Sequence, residues 1–241
     1  MSKDIVIEYN TSTPVEYTRK KWFLCVKSVL KLFVKKPKFI FLGKPVSPCC
    51  IVLSNHEAAS APLSFELYGN LPIRFWGAHE MCENFKSGYR YMTRIYYHQK
   101  KHWNLWLARL FCLIATPLTK MFYAGLDLLP TYNDIRLKNT LNRSIAALKK
   151  GHTLVVFPEN SNQGYLKELT QFHQGAMLLL EYCHRRNLDV PVYVAYYNRE
   201  RKQHIFDTPT SVNALLGLGI SRAELAEMLC KRCNELGKME L

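Results

Sequence analysis

Short apolar runs alternate along this chain with longer segments in which apolar residues recur at helical spacing. Short runs, several of them rich in Val and Ile, are typical of buried strands, and the longer segments are typical of helices packed on those strands. The predicted strands are residues 39–42, 49–53, 73–77, 126–129, 153–157 and 190–196. The predicted helices are residues 19–36, 58–68, 80–123, 134–150 and 172–186, and a last helix begins after Ser221. This alternation indicates an α/β fold, with a mostly parallel central sheet flanked by helices.

The first helical segment, residues 19–36, is basic and amphipathic, with apolar residues on one face and lysines at four-residue intervals on another. A basic helix with an aromatic-led apolar face is suited to lie in a membrane interface, although a surface helix packed on its own core shows the same pattern. The residues predicted to contact a membrane are Trp22, Phe23, Lys27, Lys31 and Lys35. We therefore predict a lead-in and membrane-docking helix in residues 1–36, followed by one α/β domain in residues 37–241.

Composition and charge indicate a globular protein with an anionic partner. The 241 residues are 48% hydrophobic and 22% charged, which suits a single folded domain. The formal net charge is +14, and residues 1–44 hold ten Lys or Arg against three Asp or Glu. Such an excess is expected to attract an anionic membrane surface, a nucleic acid or an acidic soluble substrate.

The sequence predicts a cytoplasmic protein that is peripheral to the cytoplasmic face of the membrane. The N-terminus lacks the apolar core of a signal peptide. The most apolar region, residues 104–129, is interrupted by Arg109 and Lys120, so we predict no transmembrane span. The eight cysteines are expected to be free thiols, and the C-x-x-C spacing of Cys230 and Cys233 has no second pair, so no metal site is predicted.

Two predicted strands end in polar residues that have the chemistry of a catalytic site. The strand of residues 49–53 leads into Asn55 and His56, and the strand of residues 153–157 breaks at Pro158 and leads into Glu159. Sites in parallel sheets form where strands end, so we predict that these two strands lie close together in one sheet and place His56 and Glu159 at the same edge. A histidine at such a place is suited to act as a general base because its pKa lies near neutrality, although a turn histidine bonded to local backbone is the simpler alternative.

The order of these motifs resembles that of the PlsC-type glycerolipid (lysophospholipid or 1-acylglycerol-3-phosphate) acyltransferases. Asn55-His56 is similar to the start of the family's N-H-x-x-x-x-D block, and residues 157–159 (F-P-E) to its F-P-E-G-T-R-S block. Residues 172–176 follow at the family's spacing, and residues 190–194 begin like its V-P strand. Over residues 37–200 the resemblance implies His56 as the catalytic base. The substrate-binding residues that it implies are Asn55, Glu159, Asn160, Ser161, Asn162 and Gly175.

The motifs are degenerate at the positions of three charged family residues. The aspartate five residues after the histidine is replaced by Ala61, and the arginine of the family's second block by Thr131, with Arg136 the nearest basic residue. In the third block the arginine is replaced by Asn162. Without the two arginines there is no charge-assisted fork for a phosphate, which argues against lysophosphatidic acid as the acceptor and favours a neutral headgroup.

Losing the acid of such a histidine–aspartate pair costs about 10⁴ in rate. A substitute acid is therefore expected if the protein is active, and the candidates are Glu57, Glu66, Glu80 and Glu159. The literal H-x-x-x-x-D from His184 to Asp189 lies at a predicted helix end, and we interpret it as a chance match.

The resemblance implies transfer of an acyl group from acyl-coenzyme A or acyl carrier protein to a lysophospholipid-like or neutral lipid acceptor, with no bound cofactor. The expected partners are the anionic membrane surface, the lipid acceptor and the acyl thioester donor. One alternative is a catalytically inactive, lipid-binding relative of the same fold. The other is a basic nucleic-acid-binding protein, since basic and aromatic residues alternate in residues 86–106. We expect no nucleic acid partner, because no recognised nucleic-acid motif accompanies this segment.

Overall fold

A computed structural model describes residues 19–161 and 164–241. The lead-in up to residue 18 and the predicted site residue Asn162 lie outside the described residues. The helices are α1 (Lys21–Phe33), α2 (Ser60–Tyr68), α3 (His79–Cys82), α4 (Phe85–Arg90), a π-helix (Tyr91–Lys100), α5 (Leu105–Leu126), α6 (Leu137–Lys149), α7 (Gln174–Arg185), α8 (Val212–Leu216) and α9 (Arg222–Lys238). The strands are β1 (Lys38–Phe41), β2 (Ile51–Ser54), β3 (Ile73–Ala78), β4 (Leu129–Thr131), β5 (Thr153–Val156), β6 (Pro191–Asn198), β7 (Gln203–Phe206) and β8 (Thr210–Ser211).

The strands form one mixed sheet in the order β1-β7-β6-β2-β5-β3-β4, with β8 paired to β6. The five strands from β6 to β4 run parallel to their neighbours. Strand β7 is antiparallel to β6, and β1 runs parallel to β7. The predicted α/β class with a mostly parallel sheet is therefore confirmed, and β7 and β8 are strands that the apolar pattern did not predict.

Alternating residues of the central strands fill a core on each face of the sheet. In β2, Ile51 and Leu53 pack with residues of α6, α7 and α9, whereas Val52 packs on the other face with Phe23 of α1 and Phe65 of α2. Such alternation follows from the two-residue period of a strand. Helices cover both faces of the sheet, so its strand ends remain open. The polar residues of interest lie at the carboxyl ends of the central parallel strands, which we call the edge of the sheet.

The predicted helix of residues 80–123 is divided into four helical elements, from α3 to α5. Its last element, α5, continues through Pro117 to Leu126, where it meets α1. A Cβ added to Gly125 would lie 2.0 Å from Phe23 Cδ2, so only glycine allows this close approach of the two helices.

Candidate active site

The two polar strand ends meet at one edge of the sheet. Strands β2 and β5 are parallel neighbours, with Leu53 opposite Val156. The backbone N–H of His56 donates a hydrogen bond of 3.1 Å to Glu159 Oε2. The prediction that His56 and Glu159 share an edge is therefore confirmed.

Asn55 holds the turn in place and does not line a binding surface. Its side chain is fully buried and bonds to the backbone of Tyr197 in β6, donating from Nδ2 at 3.0 Å and accepting at Oδ1 at 2.6 Å. Since both ends of the amide are used by backbone groups, the predicted substrate-binding role of Asn55 is corrected to a positioning role. Glu57 and Ala58, which follow His56, have positive φ values of 43° and 57°, which are uncommon for residues other than glycine.

The His56 imidazole lies between two aromatic rings. Phe157 meets it edge-on with ring centroids 4.8 Å apart, and Tyr165 stacks on it at 5.3 Å with an interplanar angle of 19°. The residue is partly exposed as a whole, but its Nδ1 atom is buried and has no hydrogen bond of normal geometry. Burial lowers the pKa of His56 from 6.5 to about 3, and the positive charge of Lys100 contributes to this shift. The backbone of Ala58 raises the pKa, but by less. The imidazole is thus neutral at physiological pH.

None of the carboxylates proposed as a substitute acid bonds to Nδ1 of His56 in the described part of the chain. Glu66 is buried in an ion-paired cluster with Arg19 at 2.7 Å and Lys27 at 2.9 Å. Glu80 pairs with His79 at 3.2 Å. Ala61, where the family's aspartate is expected, is fully buried.

The Glu159 carboxylate accepts a hydrogen bond from the His56 backbone, and its pKa lies near neutrality. Burial raises the pKa of Glu159 to about 7, while the His56 N–H and Lys100 act to lower it. Oε1 of Glu159 is buried without a hydrogen bond from any described residue. Near neutral pH this carboxyl group is therefore present in both forms, and either can hydrogen-bond an incoming polar group.

Two lysines at the end of the π-helix lie at the site, although no sequence motif marks them as site residues. Lys100 Nζ donates to Ser161 Oγ at 2.5 Å and lies 5.4 Å from the centre of the Tyr165 ring. Lys101 Nζ lies 5.7 Å from the same ring. Both occur in the basic, aromatic segment of residues 86–106, whose pattern is typical of a nucleic-acid-binding protein and does not indicate this site. Nothing in the motif spacing indicated Tyr165.

The other predicted binding residues have a mixed outcome. Ser161 lies at the site through its bond with Lys100, and Asn160 lies between Glu159 and Ser161, with its backbone N–H bonded to Gln171 O at 2.9 Å. Gly175 is in the first turn of α7, and a Cβ there would meet only Leu137 at 3.8 Å, an ordinary contact. Nothing in the described contacts requires glycine at this position.

The arginine nearest to the family's second block lies beside β4, the last strand in the order of the sheet. Arg136 is paired with the exposed carboxylate of Asp134 at 2.8 Å and lies 4.3 Å from the centre of the Tyr132 ring. It lines a surface cavity of about 460 Å³ together with Arg143. No described contact joins it to His56 or Glu159. His184 and Asp189, the literal motif match, both bond to Asn213 instead.

The predicted membrane residues of α1 differ in their surroundings. Phe23 is fully buried against α5, so its predicted membrane contact is corrected, because a side chain in the core is not available to a lipid surface. Lys27 is engaged with Glu66 at 2.9 Å. Trp22, Lys31 and Lys35 are exposed, and Lys31 lies 5.6 Å from the centre of the Tyr68 ring. Membrane docking by these three residues stays a prediction.

Helix α5 bears on the prediction of no transmembrane span. By length and composition it is able to cross a membrane, and only 17% of its most apolar window is buried. Among the described residues it is the one helix that meets this test. Arg109 and Lys120 are too few charges to disqualify α5 by this test, which concerns length and composition only, and the absence of a transmembrane span stays a prediction. Within residues 19–161 and 164–241 no group of His, Cys, Asp or Glu could hold a metal ion.

No protein-family model matches the sequence, and no characterised relative of significant sequence similarity was found. Among solved structures, the chain is similar to the 1-acyl-sn-glycerophosphate (LPA) acyltransferase PlsC from Thermotoga maritima, with a TM-score of 0.48 and 14% sequence identity. The match covers 92% of this chain and 80% of that chain. At 14% identity the similarity concerns the path of the backbone alone and assigns no role to any residue of this chain.

Proposed function

We propose that this protein transfers an acyl group from a thioester to a lipid acceptor at a membrane surface, with His56 as the general base. The observation that carries the proposal is the meeting of His56 and Glu159 at the ends of adjacent parallel strands, with a 3.1 Å hydrogen bond between them. The nearby Lys100 ammonium group adds positive charge to the same edge.

In the proposed reaction the neutral imidazole of His56 accepts the proton of an acceptor hydroxyl or amine. The oxygen or nitrogen then attacks the thioester carbonyl to form a tetrahedral intermediate. As this collapses, the carbon–sulfur bond breaks, the thiolate leaves and takes the proton from the imidazolium, and an ester or amide is formed. Donors near the developing oxyanion lower the barrier of such steps, and the ammonium groups of Lys100 and Lys101 lie 5.4 Å and 5.7 Å from the centre of the Tyr165 ring, which stacks on His56.

The low pKa of His56 has two consequences for this step. It leaves the imidazole unprotonated at physiological pH, but it also makes His56 a weak base. The bound substrate would raise the basicity of His56, because catalytic hydrogen bonds tighten in the complex with substrate. Nδ1, buried and without a hydrogen bond, is one of the two ring positions where a partner would restore basicity.

The two lysines also bear on the acceptor. The sequence favoured a neutral headgroup because both family arginines are replaced. Lys100 and Lys101 supply positive charge beside Ser161 and Tyr165, and a lysine binds phosphate as a point charge without the arginine fork. We therefore propose that the acceptor is a lysophospholipid with an anionic headgroup, and that acyl-coenzyme A or acyl carrier protein supplies the acyl group.

A non-catalytic, lipid-binding relative of the same fold is the second candidate. The observation that favours it is the His56 imidazole itself, since its Nδ1 has no carboxylate partner and the pKa of the ring is about 3. An inactive relative would keep the edge of the sheet and the lysines as a headgroup site while the base has lost its acid.

The test is acyl transfer by the purified protein and its His56→Ala variant. The assay offers acyl-coenzyme A or acyl carrier protein as donor, with lysophosphatidic acid or monoacylglycerol as acceptor. A catalytic base contributes about 10² to 10⁴ in rate, so His56→Ala should lose that factor and keep its fold. His184→Ala is the matched control, because His184 belongs to the literal motif match and lies exposed at the end of α7.

Turnover that survives His56→Ala unchanged would remove His56 from the mechanism. No turnover with any donor and acceptor, together with unchanged lipid binding by the variant, would favour the non-catalytic relative. Preferential acylation of monoacylglycerol would contradict the proposed role of the two lysines.

A further inference from the structure

Helix α5 has its apolar face on the outside. Apart from Leu126 at its end, its buried residues are small or polar, among them Ala108, Cys112 and Thr116, which are fully buried. Its outer face carries a row of large apolar side chains at four-residue spacing, which we call the α5 ridge, formed by Trp106, Leu110, Ile114 and Leu118. These side chains are 58% to 73% exposed, and Leu107 and Leu113 flank them. A helix on a water-exposed surface normally shows the opposite arrangement.

Of the two charges of α5, Lys120 is drawn away from the ridge and Arg109 lies at its first residue. Lys120 turns inward, where its ammonium group donates to the backbone carbonyls of Met81 at 3.2 Å and of Glu83. Arg109 is partly buried, and its guanidinium lies 5.4 Å from the centre of the Trp106 ring. The ridge therefore presents apolar side chains from Leu110 to Leu118, and it begins at Trp106, a residue type enriched where protein meets the headgroup region of a bilayer.

Both ends of α5 are tied to the same body of the protein. Before its first turn, the Trp103 N–H bonds to Tyr97 O in the π-helix at 2.9 Å. After its last turn, the chain enters β4 within the sheet, and the Leu126 carbonyl accepts a hydrogen bond from Arg19. A helix that spans a bilayer must place its ends on opposite sides, which these contacts do not allow. The ridge is therefore suited to lie along a membrane surface and not to cross it.

We propose that the α5 ridge inserts into one leaflet of an anionic bilayer, with the helix axis in the plane of the membrane. From Trp106 to Leu118 the ridge is about 18 Å long, and interfacial helices bury their apolar face about 5–10 Å deep. The bilayer is the occupant that the charge selects, because an anionic surface attracts a chain of formal charge +14 whereas a second copy repels it. Lys100 and Lys101, just before the helix, lie at the level of the headgroups in this arrangement.

The ridge also explains how a lipid would reach the site. The π-helix ends at Lys100, which bonds to Ser161, and the ridge begins six residues later at Trp106. A lipid acceptor can therefore approach the edge that carries His56 from the leaflet in which α5 lies. The insertion itself is independent of the reaction and holds for an active or an inactive protein.

The experiment measures binding to vesicles of phosphatidylcholine with phosphatidylglycerol. The variant Leu110→Glu/Ile114→Glu places two carboxylates on the ridge and should bind at least about 100-fold more weakly, because each buried aliphatic side chain contributes about tenfold or more. The matched control is Ile135→Glu/Leu218→Glu, two exposed aliphatic residues outside α5 that should bind like the unchanged protein. Circular dichroism checks that all proteins are folded.

A second measurement does not depend on introducing a charge. Brominated lipid chains should quench the tryptophan fluorescence of the unchanged protein, and Trp103→Phe/Trp106→Phe should remove most of the quenching although Trp22 and Trp76 remain. Persistent quenching in that variant would move the docking surface to α1. Equal vesicle binding by the ridge variant and the control would overturn the proposal. So would a dimer of the unchanged protein that only the ridge variant dissociates, with no vesicle binding by either. These binding results can be read whether or not acyl transfer is found.

Discussion

Two histidines of this protein, His56 and His204, share the same acid–base behaviour in different surroundings. The pKa of each is lowered from 6.5 to about 3, and each has a buried Nδ1 without a hydrogen bond from the described residues. His56 follows the end of β2, whereas His204 lies inside β7, fully buried, with its ring stacked on Phe39 at 5.1 Å. Only His56 lies at the edge where strands deliver polar groups.

The causes of the two pKa shifts differ, and the causes separate a candidate site from a core residue. Burial alone lowers the pKa of His204, whereas Lys100 and Lys101 add to burial at His56. The second ring nitrogen of His204 lies 2.6 Å from Ser64 Oγ, and Ser64 donates its hydroxyl proton to Ala61 O at 3.0 Å. His204 Nε2 is therefore assigned as the donor to Ser64. A perturbed pKa indicates function only where charged partners and access accompany it.

The largest effect that distinguishes the two histidines is expected for His204→Phe, in the stability of the protein in acid. The unfolded chain binds a proton at His204 below pH 6.5, but the folded chain does so only near pH 3. Stability is therefore unaffected above pH 6.5 and is lost as the pH falls from 6.5 towards 3. Between pH 6.5 and 4 the free energy of unfolding of the unchanged protein should fall by about 3 kcal/mol because of this residue. The fall in His204→Phe should be smaller by the same amount.

Urea unfolding at pH 7 and pH 4 measures this difference. At pH 7 His204→Phe should lower the free energy of unfolding by about 1–2 kcal/mol, because a larger ring enters a packed site. Ser64 keeps its hydrogen bond to Ala61. Exposed His184→Phe is the control and should leave the pH dependence unchanged. An identical pH dependence for His204→Phe and the unchanged protein would contradict the assignment of His204 as a buried neutral group.

The sequence predicted the sheet and the shared edge well, because both follow from local patterns. Apolar runs predicted the buried strands, and the position of His56 and Glu159 directly after two of them predicted their meeting. By contrast, Lys100 reaches the site through the three-dimensional path of the π-helix, far from either motif.

Other differences come from packing that single-residue patterns do not encode. The buried state of Phe23 depends on Gly125, a residue about a hundred positions away that leaves room for its ring. Strand β7 was missed because its four residues, Gln203–Phe206, include two polar ones, although all four are buried in the sheet. The exposed face of α5 was missed because apolar residues at helical spacing predict burial, and here they face outward.

Ala61→Asp is the next variant by size of effect, and it tests whether a carboxylate at position 61, where the PlsC-type enzymes carry their aspartate, reaches the His56 imidazole. Position 61 is fully buried in the first turn of α2, where a helix N-terminus favours a carboxylate. A carboxylate within about 4–6 Å raises a histidine pKa by about 1–3 units, so the His56 pKa should rise while that of His204 stays low. Histidine titration by NMR measures both in one sample.

The matched control is Ala59→Asp, which adds the same charge at the exposed residue before α2. It should change the His56 pKa far less than Ala61→Asp does. Equal shifts in the two variants would show that the carboxylate at position 61 does not reach the ring. A rise at His204 in place of His56 would reverse the comparison between the two histidines, since position 61 would then serve the Ser64 network.

The smallest expected effect, from Lys100→Met, separates the two histidines most directly. Lys100 lowers the pKa of His56 and also that of Glu159, so its removal should raise both, each by less than about one unit. The pKa of His204 should not move, because burial is its whole cause. Lys101→Met is the matched control: it should raise the His56 pKa by a smaller amount and leave Glu159 unchanged. If Lys100→Met leaves the His56 pKa where it is, burial alone accounts for both histidines. The electrostatic distinction between the active-site edge and the core then disappears.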